Sequence, residues 1–299
     1  YKSKKFFSDK IYIKKYIKLK NLKLSHFWKT NIINENLPNK KINFTKKILT
    51  VSTNSKIIKN NQLFVGLKGK NFDGNLFAME AIKNNAEAAI VCDYNKSKNL
   101  NIFKVINSLK TFSKISSTIR NVSNISTIAI TGSCGKTSFK DLLSSSLKRL
   151  SPISYSINSF NNKFGVPQSL FDINFKDSFG VFEVGMDKKG EIDNLSKLIN
   201  PNVGVITNIS YAHIKNFKSI KDIASAKSEL IDNILPGGTL VINRDDQFYF
   251  YFKKRALKLN LNVISFSKSH DADIRLIKVN NSNNDKFIKI LFKGNLYKF

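Results

Sequence analysis

At 299 residues, 41% of them hydrophobic, the chain is long enough for about two domains with buried cores, and no apolar run approaches the ~18 residues of a membrane span. Its two cysteines, Cys92 and Cys134, exclude a disulfide framework and a cysteine metal cluster, which suits a reducing cytoplasm. Fifty Lys and Arg against 21 Asp and Glu leave a charge of +29, but the excess is mostly lysine scattered among Asn and Ile, a compositional bias rather than a nucleic-acid-binding stripe.

Residues 1–47 are lysine-rich, with scattered aromatics from Phe6 to Trp28, and read as a solvated basic extension with room for a short helix and a loop. From Ile48 the pattern becomes α/β. Residues 48–53, 63–67, 88–92 and 102–106 read as strands, and 76–85 and 108–120 as helices. The linker Asn121-Val122-Ser123-Asn124 then marks a boundary, giving a first domain over 48–122 and a second over 123–299. In the second, short apolar strands at 125–130, 180–184, 203–208, 239–243 and 263–266 alternate with helices, the signature of a parallel sheet covered on both faces. One helix is expected over 219–234, from Ser219-x-x-Asp222 to Pro236-Gly237-Gly238. Residues 274–279 and 287–292 alternate as a hairpin would. The chain starts at Tyr1 and stops in a strand-like run, so it reads as a fragment.

Thr131-Gly132-Ser133-Cys134-Gly135-Lys136-Thr137 carries the strongest chemical signal. A β-branched strand leads in, and a helical pattern follows with Phe139, Leu142, Leu143, Leu147 and Leu150 on one face. A strand, a glycine turn and a helix N-terminus gather backbone N–H groups around an anion. Lys136 can then reach the β/γ-phosphates of a nucleotide, and the Thr137 hydroxyl can bind Mg²⁺. Ile130 stands where the commoner, longer loop has its first glycine, so this is the short T-G-x-x-G-K-T form.

Three further residues fall where such a sheet places ligands, beyond the carboxyl ends of its strands or on the helices that follow. Glu183 ends a strand and could hold a metal opposite the loop, or merely cap the next turn. His213, in the loop after 203–208, could be a metal ligand or a surface histidine. Lys227 sits four residues from both Ile223 and Ile231, in an apolar stripe with Ile220 and Ile234. It either lays its stem on apolar surface with the ammonium in water, or is a partly buried amine of lowered pKa. Such an amine could take up carbon dioxide as a carbamate.

Together these residues resemble the Mur ligases, ATP-dependent amide-forming enzymes of peptidoglycan synthesis. The likeness runs from about Val51 to the end of the chain. The family's loop is at Thr131–Thr137, and its metal-binding glutamate matches Glu183 in Phe182-Glu183-Val184-Gly185-Met186. Its histidine matches His213, its carbamylated lysine Lys227 in Ala226-Lys227-Ser228-Glu229, and its Asn-x-Asp-Asp stretch Asn243-Arg244-Asp245-Asp246. The most similar branch joins D-alanyl-D-alanine to UDP-N-acetylmuramoyl-tripeptide, as Asn161-Asn162-Lys163-Phe164-Gly165-Val166-Pro167 suggests. Leu63–Gly69, with Phe72-Asp73-Gly74, resembles that branch's UDP-substrate domain. Thr53-Asn54-Ser55-Lys56 departs from the family's Asp-Ser/Thr-Arg core, and lysine lacks arginine's bidentate fork.

The resemblance implies ATP and two Mg²⁺ ions, held by Thr137, Glu183, His213 and a carbamylated Lys227. Thr131–Thr137 and Asn243 would bind nucleotide. Thr53–Lys56, Asp73, Asn161 and Asn162 would bind the UDP-linked substrate. A cytoplasmic monomer without nucleic-acid partners is expected, and the family's third domain, with its adenine-contacting asparagine, would follow Phe299. The rival readings are a diaminopimelate- or lysine-adding Mur ligase, folylpolyglutamate synthase, and a nucleic-acid-binding P-loop NTPase.

Overall fold

A computed structural model of the chain describes residues 27–37, 42–43, 46–69, 72–92, 101–211, 216–282 and 285–299. The chain divides into two compact units: residues 1–125 with 167–176, and residues 126–166 with 177–299. Among the described residues no helix is long and apolar enough to cross a membrane.

The first unit is built on a four-stranded parallel sheet in the order β1 (Thr50–Ser52), β2 (Gln62–Val65), β3 (Ala88–Val91) and β4 (Ile102–Lys104). Its central strands are apolar but for Gln62 because both faces are covered: Leu63, Phe64, Val65 and the whole of β3 are buried. The covering elements include α1 (Trp28–Asn36), α2 (Ala78–Lys83) and α3 (Ser108–Val122). Helix α3 starts at Asn107, whose side chain accepts the Lys110 N–H at 2.8 Å, and it buries Phe112, Ile115, Ile119 and Val122. Phe112 stacks at a tilt on Phe171, ring centroids 6.0 Å apart.

Helix α1, a short helix such as the sequence left room for, corrects the expectation of a solvated extension for residues 28–36. Trp28, Ile32 and Ile33 are buried and α1 packs on α3, so this stretch is part of the first unit's core. Asn34 binds both backbone groups of Ile42 through its amide, tying the segment that follows α1. The lysine-rich composition around α1 hid a short apolar face. Residues 1–26 lie outside those described.

The second unit holds a nine-stranded sheet in the order β13-β12-β11-β10-β9-β8-β5-β7-β6. Strands β5 (Ser126–Thr131), β6 (Ile153–Tyr155), β7 (Phe179–Glu183), β8 (Val203–Ile206), β9 (Thr239–Asn243) and β10 (Asn262–Ser267) are parallel to their neighbours. Strand β11 (Ile274–Ser282) pairs antiparallel with β12 (Asp285–Phe292), the hairpin that the alternation indicated, and β13 (Asn295–Lys298) adds a further edge. The connection from β5 runs to the edge strand β6, returns to β7 beside β5, and then crosses to β8 on the other side. Strand order therefore reverses at β5, and ligands in such sheets bind at that switch point.

Two expectations are revised. Helix α4 (Lys136–Lys148) turns Leu143 and Leu147 toward the sheet, beside Ile130, Val181 and Val205, but Phe139, Leu142 and Leu150 are exposed. Its buried face runs instead through Lys140 and Ser144, two polar residues that a hydrophobic count passes over. The helix expected over 219–234 ends early: α7 spans Ile220–Ser228, and a 3-10 turn at Ile231–Asn233 follows. The apolar stripe continues across the break, which is why the sequence read as one helix. Helices α5 (Gly165–Phe171), α6 (Glu191–Ile199) and α8 (Tyr249–Lys258), like β6, were not anticipated.

Five asparagines, Asn61, Asn85, Asn158, Asn200 and Asn260, take positive φ values between 46° and 73°. Asparagine tolerates this left-handed region better than other residues with a Cβ. Phe112 is fully buried in the first unit. Phe112→Ala is expected to cost about 3–5 kcal/mol, read as a shift of the unit's urea-unfolding transition.

Candidate functional site

The loop Thr131–Thr137 lies at the carboxyl end of β5 and runs into the N-terminus of α4, where Gly135 is the N-cap at φ 79°. Gly132 has φ 150°, and a Cβ there would stand 1.9 Å from Thr207 Oγ1, so only glycine fits. The loop is laced to the residues that follow β8. Thr207 N–H donates to Thr131 O (3.0 Å), Ser133 N–H to Asn208 O (2.9 Å) and Cys134 N–H to Asn208 Oδ1 (3.0 Å). The Thr207 hydroxyl donates to Cys134 O at 2.7 Å, and Ser133 exchanges two bonds with Ser210. Asp246, beyond β9, accepts the Ile209 N–H at 2.6 Å and so steadies the same segment.

Two ammonium groups meet at one oxygen inside this loop. Lys136 Nζ donates to Gly132 O at 2.8 Å, and Lys227 Nζ donates to the same carbonyl at 2.9 Å. Lys227 is 2% exposed, so its ammonium is not in water. Burial, aided by the positive charge of Lys136, pushes its pKa down to about 7. The neighbouring Glu229 accepts the backbone N–H groups of Gly190 (2.7 Å) and Asp193 (3.1 Å), which locks the start of α6 to the end of α7.

On the other side of the loop Thr137 donates its hydroxyl to Glu183 Oε2 at 2.8 Å. Glu183 ends β7 beside β5, with Ile130 opposite it in register, and it is 1% exposed. Its second oxygen accepts from Asn161 Nδ2 at 2.8 Å, and its own N–H donates to Ser156 Oγ at 3.2 Å. A hydroxyl and a buried carboxylate within hydrogen-bond distance are hard oxygen donors. They suit a Mg²⁺ that completes its shell with phosphate oxygens and water. Among the described residues no group of three or more His, Cys, Asp and Glu gathers as a metal cluster, and His213 lies outside those residues.

The other sequence candidates are placed as follows. Asn162 Oδ1 accepts from the N–H groups of Phe164 and Gly165, capping α5. Asn243 Oδ1 accepts the Asp245 N–H at 2.9 Å in a turn at the end of β9. In the first unit Thr53, Asn54, Ser55 and Lys56 follow the carboxyl end of β1, with Asn54 Oδ1 accepting the Lys56 N–H. Lys56 and Asn54 are exposed, whereas Ser55 is buried. Asp73, in the loop beyond the neighbouring β2, accepts from Asn75 through its N–H and side chain. Residues that sequence reasoning passed over are Ser156 and Ser159, short polar side chains for which the sequence holds no motif signal; Thr207 and Ser210 lie in the stretch leading to His213, but their bonds to the loop were not foreseen.

A model of the Mur ligase middle domain matches residues 130–299. The chain belongs to the Mur ligase family. It is 33% identical over 245 residues to the UDP-N-acetylmuramoyl-tripeptide–D-alanyl-D-alanine ligase of Buchnera aphidicola subsp. Baizongia pistaciae, covering 81% of this chain and 53% of that protein. A MurF crystal structure from Acinetobacter baumannii superposes with TM-score 0.78 at 25% identity, over 90% of this chain and 59% of that one. The MurF ligase from Thermotoga maritima, solved in complex with ADP, gives TM-score 0.74 at 26% identity, over 83% of this chain and 57% of that one. This Mur ligase chain thus spans about half the length of the curated relatives it matches.

The depressed Lys227 pKa has a consequence for stability. Between about pH 7 and the ordinary lysine value of 10.5 the unfolded chain carries a proton on this amine that the folded chain lacks. Stability therefore rises with pH across that window, by at most about 1.4 kcal/mol per unit. Unfolding free energies at about pH 7.5 and about pH 9.5 should show this slope in the wild type and its loss in Lys227→Met.

Proposed function

We propose that the whole protein is an ATP-dependent ligase that joins D-alanyl-D-alanine to UDP-N-acetylmuramoyl-tripeptide in peptidoglycan synthesis. The observation that carries this reading is Lys227, a buried amine meeting Lys136 on the Gly132 carbonyl. An ordinary P-loop NTPase has no use for a second, pKa-lowered lysine there. The tripeptide's terminal carboxylate would attack the γ-phosphate of ATP, giving an acyl phosphate and ADP. The dipeptide's amine would then add to the acyl carbon, and phosphate would leave from the tetrahedral adduct.

Activation is needed because a carboxylate is a poor electrophile, and phosphoryl transfer depends on positioning and charge neutralisation. The N–H groups at the start of α4 and the Lys136 ammonium would face the phosphates. A Mg²⁺ on Thr137 and Glu183, with a second on His213 and Lys227, would supply further neutralisation of phosphate charge. With a pKa near 7, Lys227 holds enough neutral amine to add to carbon dioxide and release a proton, leaving an anionic carbamate. In the first unit Thr53, Asn54, Ser55, Lys56 and Asp73 would meet the UDP moiety at the carboxyl edge of the small sheet. Asn161 would act through Glu183. A substrate linked to UDP, and the use of ATP, support a cytoplasmic setting for this activity.

The test is phosphate release by the full-length gene product with ATP and UDP-muramoyl-tripeptide. D-alanyl-D-alanine should support turnover, while diaminopimelate, lysine, glutamate and added DNA or RNA should not. Lys227→Ala and Glu183→Ala are each expected to lower kcat by at least about 10²-fold. A short added carboxylate should partly restore Lys227→Ala alone. Full activity in Lys227→Ala would exclude the carbamate.

A further inference from the structure

Among the described residues of the second unit, the charged side chains that are buried are Lys140, Glu183 and Lys227. Two of them belong to the site already described. Lys140 is the third, and it lies one helical turn beyond Lys136 on α4 with no exposed surface. Burying an ammonium is costly, and an apolar residue of similar volume would fill the space without that cost. What the ammonium adds is a bond. Its Nζ donates to the Asn158 carbonyl at 2.5 Å and lies 3.0 Å from Asp141 Oδ1, a carboxylate largely in solvent.

Asn158 stands at φ 49° in the segment that surrounds the Thr137–Glu183 pair. Ser156 Oγ accepts the Glu183 N–H, Ser159 Oγ lies 3.4 Å from Thr137 Oγ1, and Asn161 Nδ2 donates to Glu183 Oε1 at 2.8 Å. The Asn161 carbonyl accepts the Gly185 N–H at 2.7 Å, so the segment also grips the chain just after β7. Both oxygen donors of the pair are therefore oriented by one short stretch, and Lys140 fastens that stretch to the helix that carries Thr137.

We propose that Lys140 is a positioning residue for the divalent cation: through the Asn158 carbonyl it fixes residues 157–161, so that Ser159 and Asn161 set the orientation of Thr137 and Glu183. This rests on the reading of Thr137 and Glu183 as cation ligands. Partners that orient metal ligands are typically worth about 10–100-fold in metal affinity.

The experiment is equilibrium binding of a non-hydrolysable ATP analogue to the full-length protein, in EDTA and across a magnesium titration. The wild type should bind more tightly as magnesium rises; if it does not, the ligand reading fails whatever Lys140 does. Lys140→Met should bind the analogue in EDTA as the wild type does, yet need at least about tenfold more magnesium to reach the midpoint. Ser159→Ala removes no buried charge and should move the midpoint in the same direction, which keeps the test decisive if Lys140→Met does not fold. A purely structural lysine would lower the melting temperature and leave the magnesium midpoint alone. A midpoint within about twofold of wild type in the folded Lys140→Met, or in Ser159→Ala if the former does not fold, would overturn the proposal.

Discussion

One carbonyl oxygen, that of Gly132, receives two lysine ammonium groups, and the architecture of the second unit converges on it. Like charges repel, and Lys136, together with burial, lowers the pKa of the Lys227 amine that shares its acceptor. That arrangement needs the loop wrapped tightly after β5 and the turn beyond β8 pressed against it. The last condition leaves no room for a side chain at residue 132, because Thr207 occupies the space. Three neighbouring strand ends, β7, β5 and β8, thus contribute the carboxylate, the loop and its lacing at the point where strand order reverses.

Much of this was legible in the sequence. The run of β-branched residues before Thr131 and the glycines around Cys134 specify a strand, a turn and a helix start, whatever surrounds them. Lys227 was detectable as a charge in the middle of an apolar stripe, but its partner was not. Gly132 is 95 residues away in sequence, and only the sheet order brings the two together. The misread face of α4 has a related cause: hydrophobic periodicity assumes that buried positions are apolar, and Lys140 and Ser144 violate that. Helices α5 and α6 escaped notice because they are short and follow polar, lysine-containing turns.

Net charge was a poor guide to chemistry here. The sequence holds fifty Lys and Arg, yet two of the lysines that organise the second unit, Lys140 and Lys227, are removed from water. An exposed lysine is a solvated point charge that mainly shapes long-range attraction. A buried one must find a fixed acceptor, and thereby becomes a rigid structural strut or a tunable amine. Lys140 and Lys227 illustrate the two outcomes within one unit, each ending on a backbone carbonyl.

The asparagines at positive φ give the compositional bias a limit. Where a turn requires left-handed backbone, as at Asn61, Asn85, Asn200 and Asn260, asparagine serves in place of glycine. At Gly132 the obstacle is a neighbouring atom rather than a torsion angle, so no such replacement is open. The corners of this chain are therefore limited by backbone torsion, and the Thr131–Thr137 loop by the space around Gly132.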